Sequence, residues 1–142
     1  MAGPMTPPHD IVHPEGMPAA VGFSHGVSAP PGRSVHVAGQ IGDDVSGRVV
    51  AGGLVAQFDA ALGNVVGVLR AAAADPGDVV SMTVYTTDLA GYREARSSLG
   101  AVRRRHMGRH YPAMALVGVA GLVDPKALVE ISAVAIAVVP DE

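Results

Sequence analysis

The sequence contains no cysteine and no tryptophan, and it is poor in aromatic and charged residues. Without cysteine, the chain can form neither a disulfide nor a thiolate-based catalytic or metal site. Aromatic residues make up 4% and charged residues 16% of the 142 residues, whereas 49% are hydrophobic. The core must therefore be built from aliphatic side chains. A small chain with so few charges is expected to cover apolar surface with copies of itself, so we expect a homo-oligomer.

The charge balance and the apolar stretches limit the possible partners. The formal net charge is −3, which gives no electrostatic footprint for nucleic acid. The first 16 residues lack a basic region followed by an apolar one, so no signal peptide is expected. The longest apolar candidate, residues 127–140, contains Glu130 and is too short to span a membrane. These features predict a cytoplasmic protein without a nucleic-acid or membrane partner.

A proline-rich segment opens the chain. Residues 1–20 contain five prolines and show little hydrophobic periodicity, so we expect an irregular N-terminal arm. Residues 21–140 are predicted to form a single domain, because a chain of 142 residues leaves little room for two independent cores.

Hydrophobic periodicity predicts two long helices among short strands. In residues 55–69, and again in residues 92–106, apolar positions recur at alternating spacings of three and four, which is typical of one face of a helix. Segments rich in β-branched residues predict the strands. The predicted elements are strands 22–28 and 34–41, joined as a hairpin by a Pro-Pro-Gly turn, helix 53–74, strand 79–87, helix 91–107, and strands 113–120 and 127–139.

The element order ββαβαββ indicates an α+β fold with its helices on one face of a sheet. In the last predicted strand, both alternating sets of side chains are mainly apolar. Both faces of the sheet are therefore expected to be buried, one by the helices and the other by another subunit.

Glu130, the one acidic residue of that last strand, is the first candidate for chemistry. A carboxylate among apolar neighbours is costly unless it is hydrogen-bonded or is reached by water or a ligand. Two interpretations stay open. Glu130 lies in a small-molecule pocket, or it is a structural carboxylate bonded to backbone groups or paired with an arginine.

Histidines and arginines offer weaker candidates. His106 and His110 have the spacing of two metal ligands on one helix, but Gly108 between them indicates fraying, and no metal is expected. His25 and His36 face each other across the predicted hairpin, as part of either a polar surface or a pocket. The arginines of residues 103–109 are interpreted as a solvated helix end rather than an anion or RNA site.

Several segments taken together resemble the Rid family (reactive intermediate deaminases, also called YjgF). They are residues 34–41 (SVHVAGQI), the helix with Gln57 and Asn64, residues 84–89 (VYTTDL), the Tyr-Pro-Ala step at 111–113 and residues 128–135 (LVEISAVA). The resemblance covers about residues 18–139 in the right order. It implies a chorismate-mutase-like sandwich that forms a homotrimer, with a central barrel and a cleft between subunits.

The resemblance also implies chemistry without a metal or a cofactor. The best-known members hydrolyse reactive enamines and imines to ketoacids and ammonia. Matched to this sequence, the family's water-positioning acid is Glu130, which becomes the predicted catalytic residue. The predicted substrate-binding residues are Phe23, His25, Ala38, Gly39, Gln40, Tyr85, Met114 and Leu116.

Four matched positions depart from the family pattern. Met114 stands where the family has its carboxylate-binding arginine, and a thioether cannot make a bidentate grip on a carboxylate. Ala38 replaces a serine, Phe23 a tyrosine and Ala90 an asparagine. The resemblance thus implies that the water-handling part of the site is retained, while the groups that recognise an amino-acid-derived carboxylate are lost.

Three functions follow as hypotheses. The first is a divergent hydrolase or deaminase whose substrate is more apolar than a 2-imino acid. The second is a non-catalytic homotrimer that binds a small molecule. The third, a ribonuclease activity attributed to some relatives, is the weakest, because an acidic chain with few aromatics suits phosphate binding and base stacking poorly.

Overall fold

The computed structural model describes residues 8–138, in which helices pack on one face of a four-stranded sheet. The strands are β1 (Asp10–Val12), β2 (Gly26–Ser28), β3 (Gly32–Ile41), β4 (Val79–Thr86), β5 (Ala113–Gly118) and β6 (Val129–Val138). The helices are α1 (Gly53–Ala71), α2 (Leu89–Glu94) and α3 (Arg96–Met107), with a 3-10 turn at Pro76–Asp78.

The main sheet has the strand order β3-β6-β4-β5. β6 is antiparallel to β3 and β4, and β5 runs parallel to β4 at the edge. The parallel pair requires a crossover connection, which α2 and α3 supply. β1 and β2 form a separate two-stranded antiparallel sheet. The predicted α+β fold class, with helices on one sheet face, is confirmed.

The core lies between α1, α3 and the inner face of the sheet. One face of α1 buries Phe58, Leu62, Val65 and Leu69, at the predicted helical spacing. The sheet contributes the alternate residues of β6, which are all buried: Val129, Ile131, Ala133, Ala135 and Ala137. Apart from Phe58, these core side chains are aliphatic, as the low aromatic content of the sequence predicts.

The predicted hairpin of residues 22–28 and 34–41 is wrong. β2 pairs with β1, so that Asp10 lies opposite Ser28 and Val12 opposite Gly26, while β3 pairs with β6. The arm is therefore not wholly irregular, since residues 10–12 form a strand; residues 1–7 lie outside the described part of the chain. His25 and His36 consequently do not face each other across a hairpin.

Other boundaries differ by a few residues. The predicted helix 91–107 is two helices that meet at Ala95, where φ is −93° and ψ is 11°. The helical repeat persists because Ala95 N–H donates to Gly91 O and Leu99 N–H donates to Ala95 O. α1 ends at Ala71 rather than 74, because Ala73 adopts a left-handed conformation with φ 57°. The predicted last strand ran to residue 139, which lies outside the described residues.

The prediction that both sheet faces are buried holds for one face of this chain. The face turned away from the helices is only partly covered. On it, Val134 and Ile136 of β6 are half-buried, and Val117 of the edge strand is 40% exposed. We call this surface the open face.

α1 also bears on the membrane prediction. It has 19 residues and a mean hydropathy of 1.2, so by length and composition it meets the test for a membrane-spanning helix, contrary to the expectation that no segment does. Its buried residues pack against the sheet, which is also how the core helix of a folded domain comes to pass that test.

Candidate functional site

Glu130 lies on the open face at the start of the central strand. It is paired with Ile41 on β3 and with Tyr85 on β4, so these neighbours flank it on the same face. Within residues 8–138 its carboxylate makes neither a hydrogen bond nor an ion pair. A structural carboxylate would have a backbone or arginine partner. The described part of the chain offers none, and the half-exposed group is accessible to water and ligand.

Gly39 allows the Glu130 carboxylate to lie directly against the backbone of β3. A Cβ atom built on Gly39 would lie 2.7 Å from Glu130 Oε2 and 2.8 Å from its Cδ. The register between β3 and β6 shifts between Val37 and Gln40, so Ala38 and Gly39 form a bulge beside the acid. Gln40 Nε2 donates to Ala38 O over 3.1 Å and spans this bulge. We call the set of Glu130, Gly39, Tyr85 and the adjacent Ala38 the sheet group.

Two polar residues of α1 fix the strand ends that carry the sheet group. The Gln57 side chain is buried, accepts from Leu128 N–H at 2.8 Å and donates to Lys126 O at 3.2 Å. Asn64 Nδ2 donates to Ile41 O at 3.1 Å and to Asp43 Oδ1 at 2.9 Å. These contacts hold the start of β6 and the end of β3 against the helix.

Gly42 allows the same close approach of helix and strand. A Cβ atom there would lie 2.3 Å from Gln57 O and 2.6 Å from Gln57 Cα, which are backbone atoms of α1. The glycines at 39 and 42 therefore have different roles. The first accommodates a flexible carboxylate, and the second accommodates a helix backbone.

Phe23 and His25 lie elsewhere, beyond the edge strand β5. Ser24 between them forms a parallel bridge with Ala113, and its hydroxyl donates to Tyr111 O at 2.5 Å. The rings of Phe23 and His25 meet edge-to-face with centroids 5.5 Å apart. His25 Nε2 lies 2.7 Å from Pro18 O, so this nitrogen carries the proton that is donated to the carbonyl.

Met114 and Leu116 lie on the helix side of the sheet rather than on the open face. They pair with Met82 and Val84, which are core residues, and both pack against the core. Tyr85 and Glu130 belong to the opposite face. Met114 and Leu116, together with Phe23 and His25, form what we call the edge group, which is defined by its position along β5.

The predicted site residues thus fall into two groups that a single chain does not bring together. Glu130 pairs with Tyr85, which pairs with Val117, while Ser24 meets β5 four residues earlier, at Ala113. At about 3.3 Å per residue along a strand and about 4.8 Å between strands, Phe23 lies more than about 15 Å from Glu130. Gln40 is also separated from the acid, because it pairs with the core residue Ile131 and lies on the helix side.

The prediction of a solvated helix end is wrong for Arg103. Arg103 is 8% exposed, not part of a solvated helix end; its guanidinium donates to Gly22 O and stacks 5.4 Å from the centre of the Tyr111 ring. Burial lowers the pKa of Arg103 from its usual value, although the group stays charged. The sequence does contain one indication of this burial: Arg103 comes four residues after Leu99 and therefore lies on the same, buried face of α3.

The histidine pair considered for a metal is divided between two environments. His106 Nε2 lies 2.6 Å from Asp59 Oδ1, and His110 Nε2 lies 2.6 Å from Val79 O. Burial is the main cause that lowers the pKa of His110, and the positive charges of His9 and Arg103 act in the same direction. Within residues 8–138 no three histidine or acidic residues cluster in a way that would hold a metal ion.

Comparisons with known proteins give one consistent result. The family model described as Endoribonuclease L-PSP matches residues 14–137. A protein of Capra hircus named 2-iminobutanoate/2-iminopropanoate deaminase is 36% identical over 122 residues, which cover 84% of this chain and 83% of that protein.

Solved structures agree with this result. The crystal structure of YyfB from Yersinia pestis, a protein of unknown function of the Rid family, matches with a TM-score of 0.83 and 34% identity, covering 92% of this chain and 99% of that one. The YjgF gene product of E. coli matches with a TM-score of 0.65 and 30% identity, covering 89% and 98%. The chain therefore belongs to the Rid family, with the chorismate-mutase-like fold of its structural neighbours.

Proposed function

We propose that this protein hydrolyses a small imine or enamine, with Glu130 as the residue that positions and deprotonates the attacking water. The observation that carries the proposal is the placement of Glu130: an unpaired carboxylate on the open face, held against the backbone of Gly39. Deaminase-type hydrolysis agrees with the names of relatives about 35% identical to this chain.

The reaction needs one proton acceptor and one water molecule. Water adds to the C=N carbon of the protonated imine while Glu130 takes one of its protons; a C–O bond forms, the C=N π bond breaks, and the product is a neutral carbinolamine. Glu130 returns that proton to the amine nitrogen, the C–N bond breaks as the hydroxyl group gives its proton to Glu130, and the released ammonia takes this proton and leaves as ammonium beside a carbonyl compound. No redox step is involved, and the carboxylate ends in its starting state.

We place the complete site between two chains of a homotrimer. In one chain the sheet group and the edge group are separated, and they lie toward opposite faces of the sheet. The open face carries apolar side chains that the rest of residues 8–138 covers only in part, such as Val134, Ile136 and Val117. A second copy that covers this face and brings its own edge strand to Glu130 joins the two groups. Cyclic packing of identical chains, in which head-to-tail interfaces close into a ring, is a common way to do so.

The substrate is expected to be apolar on the side that faces Met114 and Leu116. Neither side chain offers a donor for a carboxylate, and both present aliphatic or thioether surface. A carboxylate of the substrate is therefore not expected to bind at Met114.

The test of catalysis is Glu130→Gln, which keeps the size of the side chain and removes the base. Ammonia release from a panel of imines and enamines is expected to fall at least about 100-fold, the usual contribution of a positioned general base. Light scattering is expected to show a mass near three times the 14.3 kDa chain for both proteins. Full activity in the variant would exclude Glu130 as the base.

The alternative function, a non-catalytic ligand-binding trimer, is favoured by Met114 at the position of the family's arginine. It predicts that the wild-type protein releases no ammonia above background from any member of the panel, while small apolar acids still bind. Met114→Arg distinguishes the cases further. A gain of 2-imino acid hydrolysis would show that the sheet group is competent and that only substrate recognition has changed.

A further inference from the structure

A cavity separate from the open face lies between the N-terminal arm and the loop that joins α3 to β5. It has a volume of about 590 Å³ and is lined by residues of the arm and of that loop. Apolar surface comes from Ile11, Phe23 and Tyr111, among others, and polar nitrogen groups come from His13, His25 and Arg109. None of the residues that line it is acidic.

The positive charge around this cavity is not neutralised by contact with any carboxylate in the described part of the chain. Arg109 is exposed and makes no ion pair within residues 8–138. It also borders a neighbouring groove that contains Asp75 and Asp78, but neither is bonded to it.

A buried arginine reinforces the charge from behind the cavity wall. Arg103 donates to the carbonyl of Gly22 and stacks on Tyr111, both of which line the cavity. It is 8% exposed, and its Nε and Nη2 atoms have no hydrogen-bond partner within residues 8–138. An unpaired buried guanidinium is costly, and an anion nearby offsets part of that cost.

Histidines of the arm complete the polar side. The rings of His13 and His25 stack with centroids 5.5 Å apart, and the Nε2 of His25 is occupied by Pro18 O. Its Nδ1 is therefore the ring atom left for a ligand, and in the neutral ring it accepts a hydrogen bond from a hydroxyl or N–H group of that ligand. His110 also lines the cavity, and burial is the main cause that lowers its pKa.

We propose that this cavity binds a small organic carboxylate, with the carboxylate held by Arg109 and an apolar body against Ile11, Phe23 and Tyr111. Arginine is suited to a bidentate grip on a planar carboxylate, and the apolar share of the lining favours an organic acid over a bare inorganic anion. The inference deepens the proposed function, on which it rests for the role of Phe23 and His25 as substrate contacts. It places the anionic end of the ligand at Arg109 instead of at residue 114.

The test is calorimetric titration of the full chain with benzoate, with benzamide as its neutral isostere and with inorganic phosphate. Benzoate is expected to bind at least about 10-fold more tightly than either, because only it satisfies both the arginine and the apolar wall. Equal binding of benzamide would overturn the anion site. Equal binding of phosphate would overturn the organic-acid assignment.

A matched pair of variants locates the site. Arg109→Gln is expected to weaken benzoate binding about 10-fold, as expected for the loss of one charge-assisted contact. Arg104→Gln makes the same charge change at an exposed position of α3 and is expected to shift the affinity by less than about 2-fold. Equal losses in the two variants would show a general charge effect and contradict the assignment.

Binding and catalysis are separated by Glu130→Gln. This variant is expected to lose turnover but still bind benzoate, because the substitution keeps the size of the side chain and the proposed partner of the benzoate carboxylate is Arg109 rather than Glu130. If no substrate is hydrolysed by the wild type, the proposed function fails but benzoate binding still decides the cavity. If hydrolysis depends on Glu130 and benzoate does not bind, only the carboxylate site fails.

Discussion

The sheet group and the edge group are built in different ways. Glu130, Gly39 and Tyr85 lie on three hydrogen-bonded strands whose register is fixed by the long β3, β6 and β4 pairings. Phe23 and His25 depend on one isolated bridge to β5 and on the three-residue pairs of the β1–β2 sheet. The first group is part of the core sheet, and the second is attached to its rim.

We infer that this difference separates chemistry from recognition. Glu130, the proposed water-positioning acid, lies where a one-residue shift in register would move every side chain of β6 to the other face, so its position tolerates little change. Phe23 and His25 of the edge group lie on a short, half-buried segment outside the main sheet, where substitutions disturb fewer contacts.

The largest expected effect sharpens the role of the sheet group. Gly39→Ala would place a methyl group 2.7 Å from Glu130 Oε2, and the flexible carboxylate is expected to swing away from its position. Turnover should fall about 100-fold, as for a misplaced catalytic group, while the melting temperature changes little. Ammonia release and thermal unfolding measure the two effects.

Gly42→Ala is the matched control for that prediction. The new methyl group would meet backbone atoms of Gln57, which cannot rotate away, so α1 must shift. Overpacking of this kind costs about 1–3 kcal/mol or more in the free energy of unfolding. If Gly39→Ala destabilised the protein as much as Gly42→Ala, the close contact with Glu130 would not be the reason for glycine at 39.

Amide hydrogen exchange tests the contrast in rigidity directly. The β1–β2 amides belong to short, exposed strands and should exchange at least about 100-fold faster than those of the central strand β6. Comparable protection in both regions would show that the arm is held as firmly as the sheet, and the distinction between the two groups would lose its basis.

Gln57→Ala probes how the sheet group is fixed to the helix. The substitution removes both side-chain bonds to the start of β6 and leaves Leu128 N–H and Lys126 O without their partner. The free energy of unfolding is expected to fall by about 1–3 kcal/mol, as for other buried groups that lose a partner. Denaturant titration measures the change, and a neutral result would contradict the role of Gln57 as a clamp.

The smallest effect concerns a contact outside both groups. The hydrogen bond from His106 is the main cause that holds the pKa of Asp59 below its ordinary 3.8, with Arg105 assisting. A depressed carboxyl pKa stabilises the fold above the unfolded value, and this stabilisation is lost as the pH falls through the lower folded-state value. The Asp59 side chain is 39% exposed, so Asp59→Asn should cost under about 1 kcal/mol at pH 7.

The same variant carries its own pH control. At a pH well below 3.8 the wild type and Asp59→Asn should become equally stable, because the wild-type carboxyl is then protonated. A difference that persisted or grew on acidification would assign the effect to something other than the charge of Asp59.

Local patterns predicted the elements well where one residue period dominates. The three-and-four spacing located the buried face of α1, and the alternation in β6 identified the residues that meet it. The split at Ala95 was hidden from the same reasoning, because backbone bonds on both sides keep the helical repeat intact. The spacing of apolar residues therefore shows that a segment is helical, but it does not show an interruption at a single residue such as Ala95.

The pairing of strands that are distant in sequence could not be predicted from local patterns. β2 is followed at once by a turn and β3, yet it pairs with β1 of the arm. A sequence pattern does not show whether β2 pairs with β1 or with β3. The candidate site shows the same limit. Glu130 and Met114 were both named from the sequence, but the two faces on which they lie follow from strand register, which only the structure contains.

The most direct test of a site shared between chains is complementation in mixed oligomers. Glu130→Gln removes the sheet group's acid, and Phe23→Glu disables the edge group by placing a carboxylate in it. Each variant alone is expected to be inactive on a substrate that the wild type hydrolyses. Oligomers assembled from equal amounts of both should recover about a quarter of the wild-type activity, since that share of random interfaces pairs two intact halves. Mixed oligomers as inactive as either parent would contradict the shared site.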